Sequence, residues 1–307
     1  STPFTPSLTQ STNPSSKYDA AGNSGIIDIR LKKDQRYGFN GTVTSGYGQG
    51  VYPKTNAGIN FNYRNKKFNL FGSYNYTYRV GMNKLYLDRN FFDNSGNFFG
   101  KDLKANHTRL NINGQNMRLG LDYNLSKKTI VGFIFNGNRT GIEVLNKNNA
   151  TVIDKFYDPV NTFMSRTDSR DNFKNWLVNV NVKHQFDSLG RELTADFDHI
   201  EFNNRVRNTN ATDYYKMDGD ILQPSYILKG DQRANIKLSI GKADYTQPIF
   251  NGGKMEAGVK LSDIHADSDA KFFDVSTGSP VNDVNKTNHF IYSENIYAAY
   301  LNLQKRW

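Results

Sequence analysis

Cysteine is absent from the sequence. Disulfide stapling, thiol nucleophiles and zinc sites built on cysteine are therefore excluded. A long apolar run is missing as well. The longest candidates, such as residues 129–135 (TIVGFIF), are strand-sized, well short of the roughly 20 residues a membrane-spanning helix needs. Apolar residues do not recur at i, i+3, i+4 and i+7 over several turns, so no long amphipathic helix is expected. Proline is sparse, at 8 residues, and tryptophan occurs only twice. Ser1 is not an initiator methionine, and no charged segment leading into an apolar one follows it. The expectation is a chain whose leader has been removed, or an internal piece of a longer one. The first dozen residues, STPFTPSLTQST, read as an irregular arm.

What is present is polar and aromatic. The 307 residues include 18 Tyr and 21 Phe, with abundant Asn and Gly, yet only 37% are hydrophobic. The mean hydropathy of −0.69 is low for a soluble globular chain of this length, which needs more apolar residues to fill a core. The composition indicates β structure of an unusually polar kind. Net charge is +10. The Lys and Arg residues are scattered or sit in short turns, as in Asn65-Lys66-Lys67 and Ser126-Lys127-Lys128. A basic face interleaved with stacking aromatics is not visible, so no nucleic-acid partner is expected.

Period-2 alternation marks about ten strands, in residues 37–47, 57–63, 68–78, 117–125, 129–137, 176–182, 193–197, 236–240, 255–261 and 297–303. In most, one side carries Leu, Val, Ile, Phe or Ala and the other carries Asn, Asp, Lys, Arg, Ser or Gly. The connections alternate too. Short turns at 65–67, 125–128, 187–191 and 246–253 are interleaved with long polar segments at 80–115, 140–174, 204–232 and 264–292. Tight turns on one side and long loops on the other characterise an antiparallel up-and-down barrel in an outer membrane. A sandwich or propeller does not sort its loops by parity. Tyr37, Tyr47, Tyr63, Tyr74, Tyr76, Tyr78, Tyr245 and Tyr292 lie near strand ends, where interfacial aromatic girdles belong.

One stretch stands apart. Residues 13–33, NPSSKYDAAGNSGIIDIRLKK, pair an Asn-Pro and a Tyr-containing turn with small residues, a Gly and an Ile-x-Ile strand ending in Lys. This resembles the end of the plug domain of TonB-dependent outer-membrane receptors and of the related TonB-receptor-like barrel family. Residues 296–303 (IYAAYLNL) look like a mid-barrel strand of the same group. The resemblance implies a 22-stranded barrel enclosing a plug, and uptake energised by TonB. On that reading residues 1–35 are the C-terminal end of the plug. Residues 36–307 are the N-terminal part of the barrel, about ten strands of a probable 22, with the four long segments as extracellular loops. The expected partners are TonB through a missing N-terminal region, outer-membrane lipid and lipopolysaccharide, and a surface lipoprotein. An open ten-stranded sheet leaves two unpaired edges, which lipid does not tolerate, so the chain is expected to be part of a larger barrel. A complete ten-stranded barrel is the rival, with Trp307 in its favour and Lys305 and Arg306 against it.

Candidate chemistry is thin. Gly46-Tyr-Gly48-Gln-Gly50 has the look of a phosphate loop but precedes no helix, and a surface turn explains it. His265-Ala-Asp267-Ser-Asp269 or Asp218-Gly-Asp220 could hold a cation, but neither matches an EF-hand or HExxH pattern. Asp196 and Asp198 share a strand face with Glu192, with Lys183 and Lys237 on comparable faces. These suit solvated or paired charges in a lumen better than a glycosidase pair. No catalytic, cofactor-binding or metal-binding residue is assigned, and no enzymatic activity is expected. Tyr86, Phe91, Phe92, Phe98 and Phe99 could stack on a ligand or pack their own loop. The expected function is an outer-membrane transport receptor: ligand captured by outer loops, then TonB-energised uptake of a siderophore, glycan or peptide. A non-transporting barrel (adhesin, secretion component or passive pore) and a soluble carbohydrate-binding module are the alternatives.

Overall fold

A computed structural model describes residues 7–11, 26–30, 37–249 and 253–304. Strand β1 (Ser7–Ser11) pairs antiparallel with β2 (Ile26–Arg30), Ser7 opposite Arg30. The arm expected to be irregular thus contributes a strand. The Asn-Pro turn, Gly22, Gly25 and Trp307 lie outside the described residues.

The remaining strands form one antiparallel sheet: β3 (Gly38–Gln49), β4 (Pro53–Arg64), β5 (Phe68–Phe92), β6 (Phe98–Asn124), β7 (Thr129–Asp154), β8 (Pro159–Gln185), β9 (Glu192–Lys216), β10 (Ile221–Ile249), β11 (Gly253–Asp274), β12 (Val281–Asn282) and β13 (Asn288–Gln304). From β3 to β11 each strand pairs with its sequence neighbour, and β12 and β13 both pair with β11, along successive parts of it. Among the described residues there is no helix and no second layer over this sheet, and β3 and β13 are its edges.

Directly opposite residues share a face, so the register sorts every side chain. Leu121 faces Phe133, Phe133 faces Val180, Val180 faces Phe197, Phe197 faces Gly241, Gly241 faces Leu261 and Leu261 faces Tyr297. One residue over, the row reads Asp122, Gly132, Asn181, Asp196, Lys242, Lys260. The apolar row is bare. Val259 is 50%, Leu261 53% and Leu303 66% exposed, while on the opposite face Asp244 is 4% and Glu256 6% exposed. A water-soluble fold buries the first set and exposes the second. This sheet does the reverse, as a barrel with lipid outside and water inside must.

The apolar band also runs obliquely across the rows. It climbs to Met117 on β6 and Trp176 on β8, but stops at Phe197 on β9 and Leu261 on β11. Glu201 is the residue opposite Trp176, and His265 lies in the same row through Lys237. A horizontal membrane band crossing tilted strands produces this offset. Tyr47, Tyr63, Tyr74, Tyr76, Tyr78 and Tyr245 lie on the lipid side, whereas Tyr292 falls opposite Ala266 on the other.

Two expectations need revision. The four long polar segments are not loops. β5 through β10 are 25 to 29 residues long and run far past the apolar band as paired ribbons, turning at 93–97, 155–158 and 217–220. The last hairpin keeps a longer connection, 275–287, which contains β12. The alternation of short and long is also incomplete, because β3 and β4 are joined on the ribbon side by residues 50–52 alone, and Gly46 and Gly48 of the glycine cluster are inside β3. The short turns at 65–67, 125–128 and 187–191 are where the sequence puts them; of the fourth, 246–249 and Gly253 belong to strands and the residues between lie outside the described ones.

Candidate functional site

The polar face is the natural place for a solute, and its chemistry changes with height. Near the short turns its charges are paired. Lys183 lies 2.6 Å from Glu192, Lys254 2.5 Å from Glu256 and Lys242 3.4 Å from Asp244. The Tyr300 hydroxyl donates to Asp244 at 2.5 Å, and Asn179 donates to Asp198 at 2.9 Å. The sequence groups Asp196, Asp198, Glu192 and Lys183 correctly on one face. Lys237 is opposite Glu201 on the lipid-facing side instead, since one residue of register decides the face.

Midway up, the polar lining is interrupted by an apolar row: Leu177 opposite Ile200, Ile200 opposite Leu238, Leu238 opposite Ile264. Beside it, Asn75, Asn116, Asn138 and Asn175 stand opposite one another across β5 to β8. Asn138 donates to Asn116 at 2.5 Å. A cleft of about 410 Å³ opens here, lined by Ser73, Arg118, Asn116, Asn138, Asn175 and Leu177 among others.

In this row and above it the same face carries oxygen atoms that are buried and lack a hydrogen-bond donor among the described residues, on Asn175 in the row and on Asp102, Asn106, Asn148, Asp171, Asn204 and Asn208 above it. A buried acceptor left unpaired costs about 1–3 kcal/mol, so this surface is built to meet donors from water, a solute or another protein segment. Burial without a partner pushes the Asp171 carboxyl above the ordinary carboxylate range.

The ribbon tips form a second feature. Asp93 accepts from the backbone N–H groups of Ser95 (2.9 Å) and Asn97 (2.8 Å), and Asp154 from those of Phe156 (2.8 Å) and Asp158 (3.0 Å). Asp side chains close turns this way because their oxygen mimics a backbone acceptor. In the first tip Gly96 takes the left-handed position (φ 82°), but in the second that place belongs to Tyr157 (φ 69°). A bulky residue there is strained. Its ring stacks on Phe98 at 4.6 Å with 7° between planes, and Phe98 meets Phe92 edge-on at 6.2 Å, joining two ribbon tips. Tyr86, Phe91, Phe92, Phe99 and Phe156 remain exposed. Of the five aromatic candidates, Phe92 and Phe98 meet each other, Phe98 also stacks on Tyr157 of the next tip, and Tyr86, Phe91 and Phe99 are exposed.

The suggested cation clusters are otherwise engaged. Asp218 caps its own turn by accepting from Asp220 N–H, His265 bonds Ser293, and Asp267 pairs with His289 at 2.7 Å. Among the described residues no group of three or more His, Asp or Glu side chains is placed to share a metal ion. The asparagine row and Tyr157 escape a sequence reading, because both depend on register between distant strands.

Residues 184–307 match the model of an outer membrane protein beta-barrel family. That match and the inverted antiparallel sheet place the chain in the outer membrane with a β-barrel fold. The matched part covers β9 to β13, and the up-and-down meander continues unbroken through β3 to β8. No curated protein matches the sequence. Among solved structures the chain is similar to the CymD monoaromatic hydrocarbon channel, with a TM-score of 0.27 and 15% identity, covering 94% of this chain and 85% of that one. It is also similar to the ferric yersiniabactin uptake receptor FyuA from Yersinia pestis, with a TM-score of 0.31 and 10% identity, covering 91% of this barrel chain but 46% of the receptor.

Proposed function

We propose that this barrel chain is part of an outer-membrane transport receptor, in which the ribbons capture a polar solute and TonB drives its entry, without a catalytic centre. The observation that carries the reading is the inverted sheet, with a lipid-exposed apolar band on one face and buried, paired charge on the other. Such a wall separates lipid from an aqueous path. The apolar row Leu177–Ile200–Leu238–Ile264 would seat a plug, and the unpaired oxygens above it would accept hydroxyl or amide donors from a glycan or peptide. Siderophores remain within the same class of scarce nutrient.

The test is uptake by cells carrying the full-length protein. Nutrient accumulation that disappears when TonB is deleted, with planar bilayers containing the purified protein electrically silent, supports the proposal. Steady conductance in those bilayers, or uptake indifferent to TonB, replaces the receptor with a passive pore.

A further inference from the structure

On the inward face, beyond the asparagine row toward the tips, one row of directly opposite positions carries unmet charges of both signs. It reads Lys54, Arg79, Ile112, Ile142, Asp171 and Val206, from β4 to β9. Lys54 and Arg79 are like charges placed directly across a strand pair, which destabilises it. Both are exposed, and neither has a carboxylate partner among the described residues. Toward the other end Asp171 is also unmet. Its Oδ1 is buried without a donor, and so is that of Asn204, its diagonal neighbour on β9. On the same face its neighbours are Thr140, Ile142 and Val144 of β7 and Asn204, Val206 and Asn208 of β9, none of them charged. Between the charges, Ile112 is opposite Ile142, with Leu110 opposite Val144 just above, so the ground there is apolar. Strands lie about 4.8 Å apart, which puts Asp171 about 14 Å from Arg79 and about 19 Å from Lys54 along the row.

We infer that this row binds a short peptide with both ends free, its ammonium at Asp171 and Asn204, its carboxylate at Arg79 and Lys54, and its apolar side chains on the patch between. The charges select the class. An ammonium brings the N–H donors that the two orphan oxygens lack and the positive charge that Asp171 lacks. A carboxylate relieves the repulsion between the opposed cations and matches the guanidinium fork. A neutral glycan answers neither charge, and an anionic chelate sets a like charge against Asp171. An extended chain advances about 3.4 Å per residue, so the row spans roughly four or five residues. The assignment rests on the transport-receptor reading and narrows its solute to oligopeptides recognised at both termini.

The test uses the full-length protein in detergent, with peptides retained on gel filtration quantified by mass spectrometry. The probes are tetrapeptides with apolar central residues, either free at both ends, N-acetylated or C-amidated. Wild type is expected to bind the free form about tenfold or more tightly than either blocked form. Asp171→Asn should bind acetylated and free peptide alike while still discriminating against the amide. Lys54→Gln with Arg79→Gln should do the reverse. A structural defect weakens all forms together, so this split separates recognition from misfolding, and heat-modifiable gel mobility verifies the fold. The wild-type comparison needs no variant at all. Equal wild-type binding of free and blocked forms overturns the inference, as does failure of every tetrapeptide to bind, or a variant that keeps the preference it was built to lose. Uptake indifferent to TonB with peptide binding intact counts against the receptor reading alone. TonB-dependent uptake of another nutrient, with no tetrapeptide bound, counts against this inference alone.

Discussion

Gly120 shows how closely neighbouring strands approach. A Cβ placed there would fall within the ring of Phe71 on β5, which is itself capped by Arg118 at 5.5 Å. Valine favours strands in general, yet Gly120→Val should destabilise the barrel by about 1–3 kcal/mol through overpacking. Adding Phe71→Ala should recover part of that loss in urea titrations of folding into vesicles. Asp231 makes a second case. Hydrogen bonds from Arg205, reinforced by Arg233, hold its carboxyl well below the usual carboxylate range. A depressed folded value means the stabilisation is complete above the unfolded carboxylate value near 3.9 and fades as pH falls through the folded one. Asp231→Asn should therefore lower the thermal midpoint by a constant amount from pH 5 to 8, and the gap should narrow only below about pH 4. At the tip, Tyr157→Gly should relieve strain but remove the stack on Phe98. A ligand held by that stack would bind more weakly to the variant, while one held by the asparagine row would not notice, a distinction calorimetry can make.

Strands test the assignment of faces with adjacent positions. Val180 belongs to the apolar row and Asn181 to the polar one. Val180→Arg should cost about 2–4 kcal/mol if it reaches mid-bilayer, whereas Asn181→Arg should be tolerated. Similar costs for both would remove the distinction between a lipid side and a water side. The same contrast explains what the sequence discloses. Met117, Leu119, Leu121 and Tyr123 alternate so plainly with polar residues that their strand is legible without coordinates, as are the turns at 65–67 and 125–128. The ribbon halves are not. In residues 140–150, TGIEVLNKNNA, polar residues occur on both faces and Asn is a poor strand former. What keeps this stretch extended is an unbroken backbone ladder to β6 and β8, a property of the pair rather than of the string.

For the molecule as a whole, bare apolar rows on a sheet with no covering layer among the described residues require an amphiphile. Diluting detergent below its micellar concentration should precipitate the protein, as followed by light scattering, and a clear monodisperse solution would contradict the lipid-facing band. The sequence discloses the two-faced strands through their period-2 alternation, because which face a side chain takes needs only local residues. It could not disclose the unpaired oxygens, which arise where β7, β8, β9 and β10 are brought side by side in one register. The ribbons have a bearing on kinetics as well. Flexible segments would have to freeze upon meeting a solute, at roughly 1–2 kcal/mol for each residue immobilised. Hydrogen-bonded hairpins have settled that cost during folding, so the tips present a rigid rim to passing molecules, and encounter should be limited by diffusion and orientation rather than by waiting for the rim to take shape.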